Sequence, residues 1–308
     1  MYRKLKRYLH SPYYEIGRDI MQRWPRIMPD TWFIKVQYLN EVGCKVNLKE
    51  PHSFTEKMQW FKLHDHNPLY TTLVDKYKVK TWVTERIGAG HIIPTLAVWK
   101  SSEEIDISIL PDRFVLKCNH DCGSVIICKN KNLFNIDEAK KKLSVALNKN
   151  HYYFGREWPY KHVEPKIIAE PYITNTPEID ALTDYKFFCF NGIPRVMLVV
   201  KDRQTDRKID VYDMDFNLLP TRQRSLVSAS KDTVRPYFFD ELKSVATILA
   251  ENLPVCRVDM YYTLDNQNVG HVILGEMTLY DGSGYDPFVP EEWNIKIGDM
   301  IELPCLKH

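Results

Sequence analysis

Apolar and polar positions alternate with a helical period through most of the first ninety residues. Ser53 and Glu56 form a capping box ahead of the apolar-rich stretch 54–63, since the hydroxyl of one and the carboxylate of the other can satisfy backbone N–H groups that a helix start leaves unpaired. Asn67-Pro68 interrupts the pattern. Leu73, Val74, Tyr77, Trp82, Val83 and Ile87 then predict a second helix ending near Gly88, with Asp75 and Lys76 standing out as charges on its first turns.

From residue 92 the pattern changes to strands. Residues 114–118 and 125–128 flank the loop Asn119-His-Asp-Cys-Gly-Ser124, whose small and polar residues can wrap backbone N–H groups around a phosphate. A helix follows, capped by Asn135 with Glu138 three residues on, and with Ile136, Ala139, Leu143, Ala146 and Leu147 on one face. Residues 165–170 form the next expected strand. Asn191-Gly192 between the β-rich runs 185–190 and 193–200 predicts a hairpin, because this dipeptide accepts the positive φ angles of a tight two-residue turn. Residues 201–236 read as charged and irregular, and Leu242, Val245, Ala246 and Leu249 mark a helix stopped before Pro254. The last expected strands are 255–262 and 270–277. A turn near Asp265-Asn266 puts Asp259 opposite Leu274 and diagonal to Glu276 on the same face, at about 7–8 Å for such neighbours.

A chain of 308 residues has room for two or three domains. Its 42 Lys and Arg against 40 Asp and Glu are nearly balanced, which argues against a general nucleic-acid binder, since that function needs a strong basic field. The seven cysteines include no CxxC pair and fit small buried side chains in a reducing compartment. Cys118, Cys122 and Cys128 with His120 match no standard zinc spacing. With no apolar run long enough to span a bilayer and no apolar stretch behind the charged N-terminus, the expected location is the cytoplasm. Residues 1–27 carry seven Lys or Arg against Glu15 and Asp19, with Tyr2, Leu5 and Leu9 at helical spacing. That segment reads either as a solvated helix or as a peripheral contact with an anionic membrane face or a membrane-bound assembly protein.

Three residues carry the chemistry. Lys117 ends the apolar run 113–118, and Asp259 and Glu276 each stand alone among apolar neighbours on late strands. Singly they read equally well as a strand-end lysine and two structural carboxylates. Together they are a cation for phosphate and a carboxylate pair for Mg²⁺, which binds one or two carboxylates plus phosphate oxygens.

The ordered segments Asn47-Leu-Lys-Glu-Pro51 with Phe54-Thr-Glu-Lys57, Leu73-Val-Asp-Lys-Tyr77, Phe114-Val-Leu-Lys-Cys-Asn-His120, Gly155-Arg-Glu-Trp-Pro-Tyr160, Asp184-Tyr-Lys-Phe-Phe188, Arg257-Val-Asp259 and Gly275-Glu276 with Gly282-Ser-Gly284 resemble the TupA-like ATP-grasp family of bacterial surface-polysaccharide gene clusters. The resemblance implies an α+β ATP-grasp fold with a helical N-terminal region: residues 1–90 helical, 91–165 a first subdomain, and 166–308 a second bearing the metal strands. It places Lys117, Lys186 and Ser124 at the phosphates of ATP, Glu170 and Tyr172 at adenine and ribose, and Asp259, Glu276 and Thr278 at Mg²⁺. Thr278 stands where many ATP-grasp enzymes carry Asn, and Asp121-Cys122 where relatives favour glycine or small residues. The implied reaction joins a carboxylate to an amine through an acylphosphate. The family context suggests a uronic acid of a capsular or O-antigen glycan and an amino acid or small amine. Lys186, Arg203 and Arg207, with Lys201 and Lys208, are the candidates to hold the reacting groups, and Trp158 and Tyr160 either stack on a sugar or pack internally. Two other readings stay open: a metal-dependent glycosyltransferase using Asp213-Met-Asp215, and a non-catalytic nucleotide-binding scaffold of a polysaccharide assembly complex.

Overall fold

Helices open the described part of this computed structural model, which describes residues 12–174, 182–201, 208–227, 233–265, 267 and 269–304. They are α1 (Pro12–Arg23), α2 (Asp30–Val42), α3 (Phe54–His64), α4 (Leu69–Val74) and α5 (Lys78–Ile87). The basic residues before position 12 lie outside the described residues. The capping box forms, with Ser53 Oγ accepting from the N–H of Glu56 and Glu56 Oε2 accepting from the N–H of Ser53. The single helix expected over 69–87 is instead two. Asp75 is buried between them, and its Oδ1 accepts the backbone N–H groups of Tyr77 at 2.9 Å and Lys78 at 3.2 Å. A side chain that offers the backbone a local acceptor competes with the helical ladder, and the N–H of Lys76 is drawn to Asn119 O at 3.0 Å.

Four antiparallel strands make the first sheet, in the order β1 (Ala97–Trp99), β4 (Ile167–Pro171), β2 (Phe114–Cys118), β3 (Ile126–Cys128). Phe114, Leu116 and Cys118 pack with Ile167, Ala169 and, from α6 (Ile136–Leu147), Leu143 and Ala146. Side chains alternate across a strand, so Lys117 and Glu170 point to the opposite face. Asn135 caps α6 as the sequence predicts, accepting from the N–H of Glu138 at 3.1 Å.

The second sheet is antiparallel throughout, in the order β10 (Gly270–Thr278), β9 (Val255–Leu264), β5 (Asp184–Phe190), β6 (Ile193–Lys201), β7 (Lys208–Asp213). At the predicted hairpin Asn191 and Gly192 both take positive φ, 53° and 77°. A further helix (Phe239–Ala250) buries Leu242, Ala246 and Leu249 in a core shared with Phe187, Cys189, Val258 and Met260. The region expected to be irregular contains β7, paired with β6 from Val196↔Asp213 to Lys201↔Lys208, and β8 (Arg222–Gln223), which pairs with β11 (Phe288–Val289). Ile209 and Val211 supply the buried face of β7, but flanking charges and the buried Asp210 hide its alternation in the sequence. The segment leading into β1 is tied to the second sheet by His91, whose Nδ1 lies 2.8 Å from Val272 O, and by a bridge between Ile92 and Leu274. Among the described residues no helix is long and apolar enough to cross a membrane.

Candidate active site

Lys186 of β5 pairs with Asp259 of β9, and Asp259 pairs directly with Glu276 of β10. One rung of the sheet therefore carries a cation and two carboxylates side by side. The sequence-based register, Asp259 opposite Leu274, is off by a bulge: Leu274 pairs with Met260, Glu276 with Asp259, and Gly275 between them is unpaired. A bulge adds one residue to one strand and re-aims its neighbours. Glycine suits the position, because a Cβ there would meet the ring of Tyr261 at 2.8 Å.

Two residues along, on the same face, a rung holds Phe188, Arg257 and Thr278, and Arg257 is the hub of the site. Its Nε and Nη2 donate to the two oxygens of Asp259, each at 2.6 Å. Nη2 also reaches Glu276 Oε1 at 3.3 Å and Thr278 Oγ1 at 3.2 Å, while Nη1 donates to Asp281. Lys186 donates to Asp259, and Thr278 Oγ1 donates to Glu276 Oε1 at 3.3 Å. On the first sheet the buried Glu170 is held by Lys117 at 2.6 Å and Lys80 at 2.7 Å. Lys76 connects the two halves: its Nζ donates to Asp121 O in the loop after β2 and lies 3.8 Å from Glu276 Oε2. The helix break at Asp75 makes this reach possible.

Charge pairing decides the protonation states. Burial pushes the carboxyl of Asp259 up, but Arg257 and Lys186 outweigh it and hold the group down at about 2. Glu170 is likewise lowered, Lys117 and Lys80 overcoming its burial, and so is Glu276, where Lys76 and Arg257 overcome burial and the neighbouring Asp259. A carboxyl lowered on folding adds stability that is complete above its unfolded pKa and is lost as the pH falls through its folded one. Asp259 therefore contributes about 2 kcal/mol above pH ~4 that is lost as the pH falls through ~2. Urea midpoints measured from pH 5 to 2.5 should fall, and Asp259→Asn should flatten that fall.

The sequence model of the TupA-like ATPgrasp family matches residues 56–302, a span containing every one of these side chains. The chain belongs to this family. No curated protein matches it. Among solved structures, this ATP-grasp chain is similar to biotin carboxylase from Campylobacter jejuni in a β,γ-ATP complex, with 14% identity, TM-score 0.37, and coverage of 76% of this chain and 47% of that one. It is also similar to D-alanine–D-alanine ligase from Bacillus anthracis complexed with ATP (16%, TM-score 0.36, 68% and 55%) and to L-amino acid ligase from Bacillus licheniformis (12%, TM-score 0.40, 88% and 55%). The chain spans about half the length of these structures.

Against the ATP-grasp expectations, the structure brings Lys186, Asp259, Glu276 and Thr278 into one cluster and Lys117 with Glu170 into another. Ser124 lies in the loop, but its hydroxyl is engaged there, accepting from the N–H of Cys118 at 2.7 Å and donating to Asp121 at 2.6 Å. Tyr172 follows β4, with the guanidinium of Arg113 4.5 Å from its ring centroid. Arg203 and Arg207 lie outside the described residues, as do the side chains of Lys201 and Lys208. Trp158 and Tyr160 take the packing role: Trp158 Nε1 donates to Asp65 O at 3.0 Å and Tyr280 Oη at 3.1 Å, and Tyr160 is buried. Asp213 is committed to a turn, accepting from the N–H groups of Asp215 and Asn217 and from Asn217 Nδ2. The sequence alone assigns no role to Lys76, Lys80 or Asp281 and has Arg257 only as part of the segment Arg257-Val-Asp259. The period-two spacing of Arg257 and Asp259 along one strand face was the available signal.

The donor set fits Mg²⁺ that arrives with a nucleotide. Among the described residues no group of three or more His, Cys, Asp or Glu forms a self-sufficient metal cage, whereas Asp259, Glu276 and the Thr278 hydroxyl present adjacent oxygens on one sheet face. Mg²⁺ completes such partial sets with phosphate oxygens and water.

Proposed function

We propose that this protein is an ATP-dependent carboxylate–amine ligase that forms an amide through an acylphosphate. The observation that supports it best is the pair of charge clusters, Lys117–Glu170 on one sheet and Glu276, Asp259 and Lys186 on the other, with Lys76 paired to Glu276 and attracted by Glu170 between them. Each of these carboxylates is balanced by cations of the same site. A polyphosphate can exchange with those carboxylates for Lys117, Lys80, Lys76, Lys186 and Arg257, leaving Asp259 and Glu276 for Mg²⁺, which supplies charge compensation to the phosphate oxygens when bound. Glu170 and Tyr172 serve the adenosine end.

Catalysis of this kind consists mainly of positioning and charge neutralisation. Lys186 and Arg257 are placed to stabilise negative charge that develops on the transferred phosphoryl group. Arg203 and Arg207 are assigned to the substrate carboxylate, for which a uronic acid of a surface glycan or its precursor is the preferred class, with an amino acid or small amine as acceptor. Incubation with ATP, Mg²⁺, a uronate panel and an amino-acid pool should release ADP only when both a carboxylate and an amine are present, and should yield an amide mass. AMP with pyrophosphate would replace the acylphosphate route by adenylation. Hydrolysis of nucleotide sugars without ATP use would favour the glycosyltransferase reading, and ATP binding without turnover across the panel would favour the scaffold.

A further inference from the structure

The loop after β2 exposes Cys122. Its Sγ lies 3.8 Å from Nε2 of His151, and the same nitrogen is 3.5 Å from Oε1 of Glu157. Glu157 is buried and also accepts from the hydroxyl of Ser283. Burial alone lowers the pKa of His151, but Cys122 and Glu157 outweigh it and push the imidazole up to about 10. At that distance the ring N–H of an imidazolium can donate to the sulfur. The other groups acting on Cys122 are Lys76 from the α4–α5 break, Arg257 from β9, and Tyr160 from the turn after Glu157, with Asp121 preceding it in the loop. The remaining described thiols differ: Cys118, Cys128, Cys189 and Cys256 are buried, and in Cys44, exposed as a residue but with its sulfur partly covered, desolvation and the nearby Glu56 and Glu291 push the thiol up.

A cavity of about 1210 Å³ opens beside Cys122 and His151. Arg26, Lys141, Lys142 and Lys149 line it against Asp121 and Glu138, and Glu138 is already paired with Lys142 at 2.7 Å. The space is large enough to admit a small molecule, and its charge favours an anion.

We propose that Cys122 is a thiol-exchange site that takes an anionic low-molecular-weight disulfide from this groove, and that the mixed disulfide obstructs the adjoining nucleotide site. The Cys122 thiolate attacks one sulfur of the disulfide, the reagent's S–S bond breaks as the Cys122–S bond forms, and the released thiolate takes a proton from solvent. The exchange stands independently of the ligase reading; the obstruction rests on it, because it requires nucleotide beside Lys76 and the loop.

The full chain, incubated with glutathione disulfide at pH 7 and mapped by peptide mass spectrometry, should react at Cys122 about tenfold or more faster than at Cys44. His151→Gln should remove most of that advantage, with the melting temperature measured to confirm folding. Uncharged hydroxyethyl disulfide should lose the benefit of the cationic groove and react more slowly. Equal rates at Cys122 and Cys44, or a His151→Gln protein that reacts like wild type, would overturn the exchange site. A faster reaction with the uncharged disulfide would overturn the role of the groove. Unchanged ATP affinity after complete modification of Cys122 would overturn the obstruction alone and leave the exchange site in place.

Discussion

Glu276→Gln should lower turnover by about 10²- to 10³-fold, the scale on which loss of one preorganised electrostatic partner acts, while leaving the melting temperature almost unchanged. Its side chain is 33% exposed, with Arg257 at 3.3 Å and Lys76 at 3.8 Å, so its ion pairs contribute at most about 1 kcal/mol to folding. The rate loss comes from removing a charge meant for Mg²⁺, and it should appear as a raised Mg²⁺ requirement. Asp259→Asn should show the same kinetic defect with an added cost in stability. Its carboxylate is 4% exposed, and its removal takes a partner from both Arg257 and Lys186; unpairing a buried ion costs about 3–5 kcal/mol. Melts and Mg²⁺ titrations of both variants separate the roles. Lost stability with wild-type Mg²⁺ dependence would reduce both acids to structural ion pairs.

Lys117→Ala should weaken ATP binding by about tenfold to a hundredfold, the equivalent of ~1.4–2.8 kcal/mol. The sequence alone suggests that a strand end tolerates this loss without harm to the fold. The structure points to a cost, since Lys117 is one of two cations holding the buried Glu170. Removing one partner from a buried carboxylate costs about 1–3 kcal/mol. The double variant Lys117→Met/Glu170→Gln removes that ion pair but leaves Lys80 without its carboxylate, so it should recover only part of the stability and none of the affinity. Calorimetric ATP titration and urea unfolding of both proteins test this, and an unchanged affinity in Lys117→Ala would remove Lys117 from the phosphate site.

Local signals in the sequence were sufficient wherever one short segment carried the information. Ser53–Glu56, Asn135–Glu138 and Asn191-Gly192 each formed the cap or turn that their chemistry predicts. Lys117, Asp259 and Glu276 were legible because each charge interrupts an apolar strand, whereas Lys186 came only from the family resemblance. What remained hidden depends on long-range geometry. The bulge at Gly275 moves Glu276 by one register step, and no residue of β10 alone reveals which partner it faces. The split between α4 and α5 follows from Asp75, whose carboxylate also accepts from Asn119 Nδ2 at 2.9 Å across a gap of 44 residues. Lys80 was unreadable for the same reason: its partner Glu170 lies on a distant strand. Strand β7 escaped notice because its buried Asp210 breaks the alternation, and that burial is tolerated through hydrogen bonds from Thr233 and Tyr212.

The acylphosphate route is tested most directly with a uronate carrying ¹⁸O in both carboxylate oxygens, chosen as the member of the panel that supports ADP release. With ATP, Mg²⁺ and the amine present, attack of the carboxylate on the γ-phosphate followed by amine displacement should leave one ¹⁸O in the released inorganic phosphate. Label found in AMP, or amide formed with unlabelled phosphate, would contradict the account.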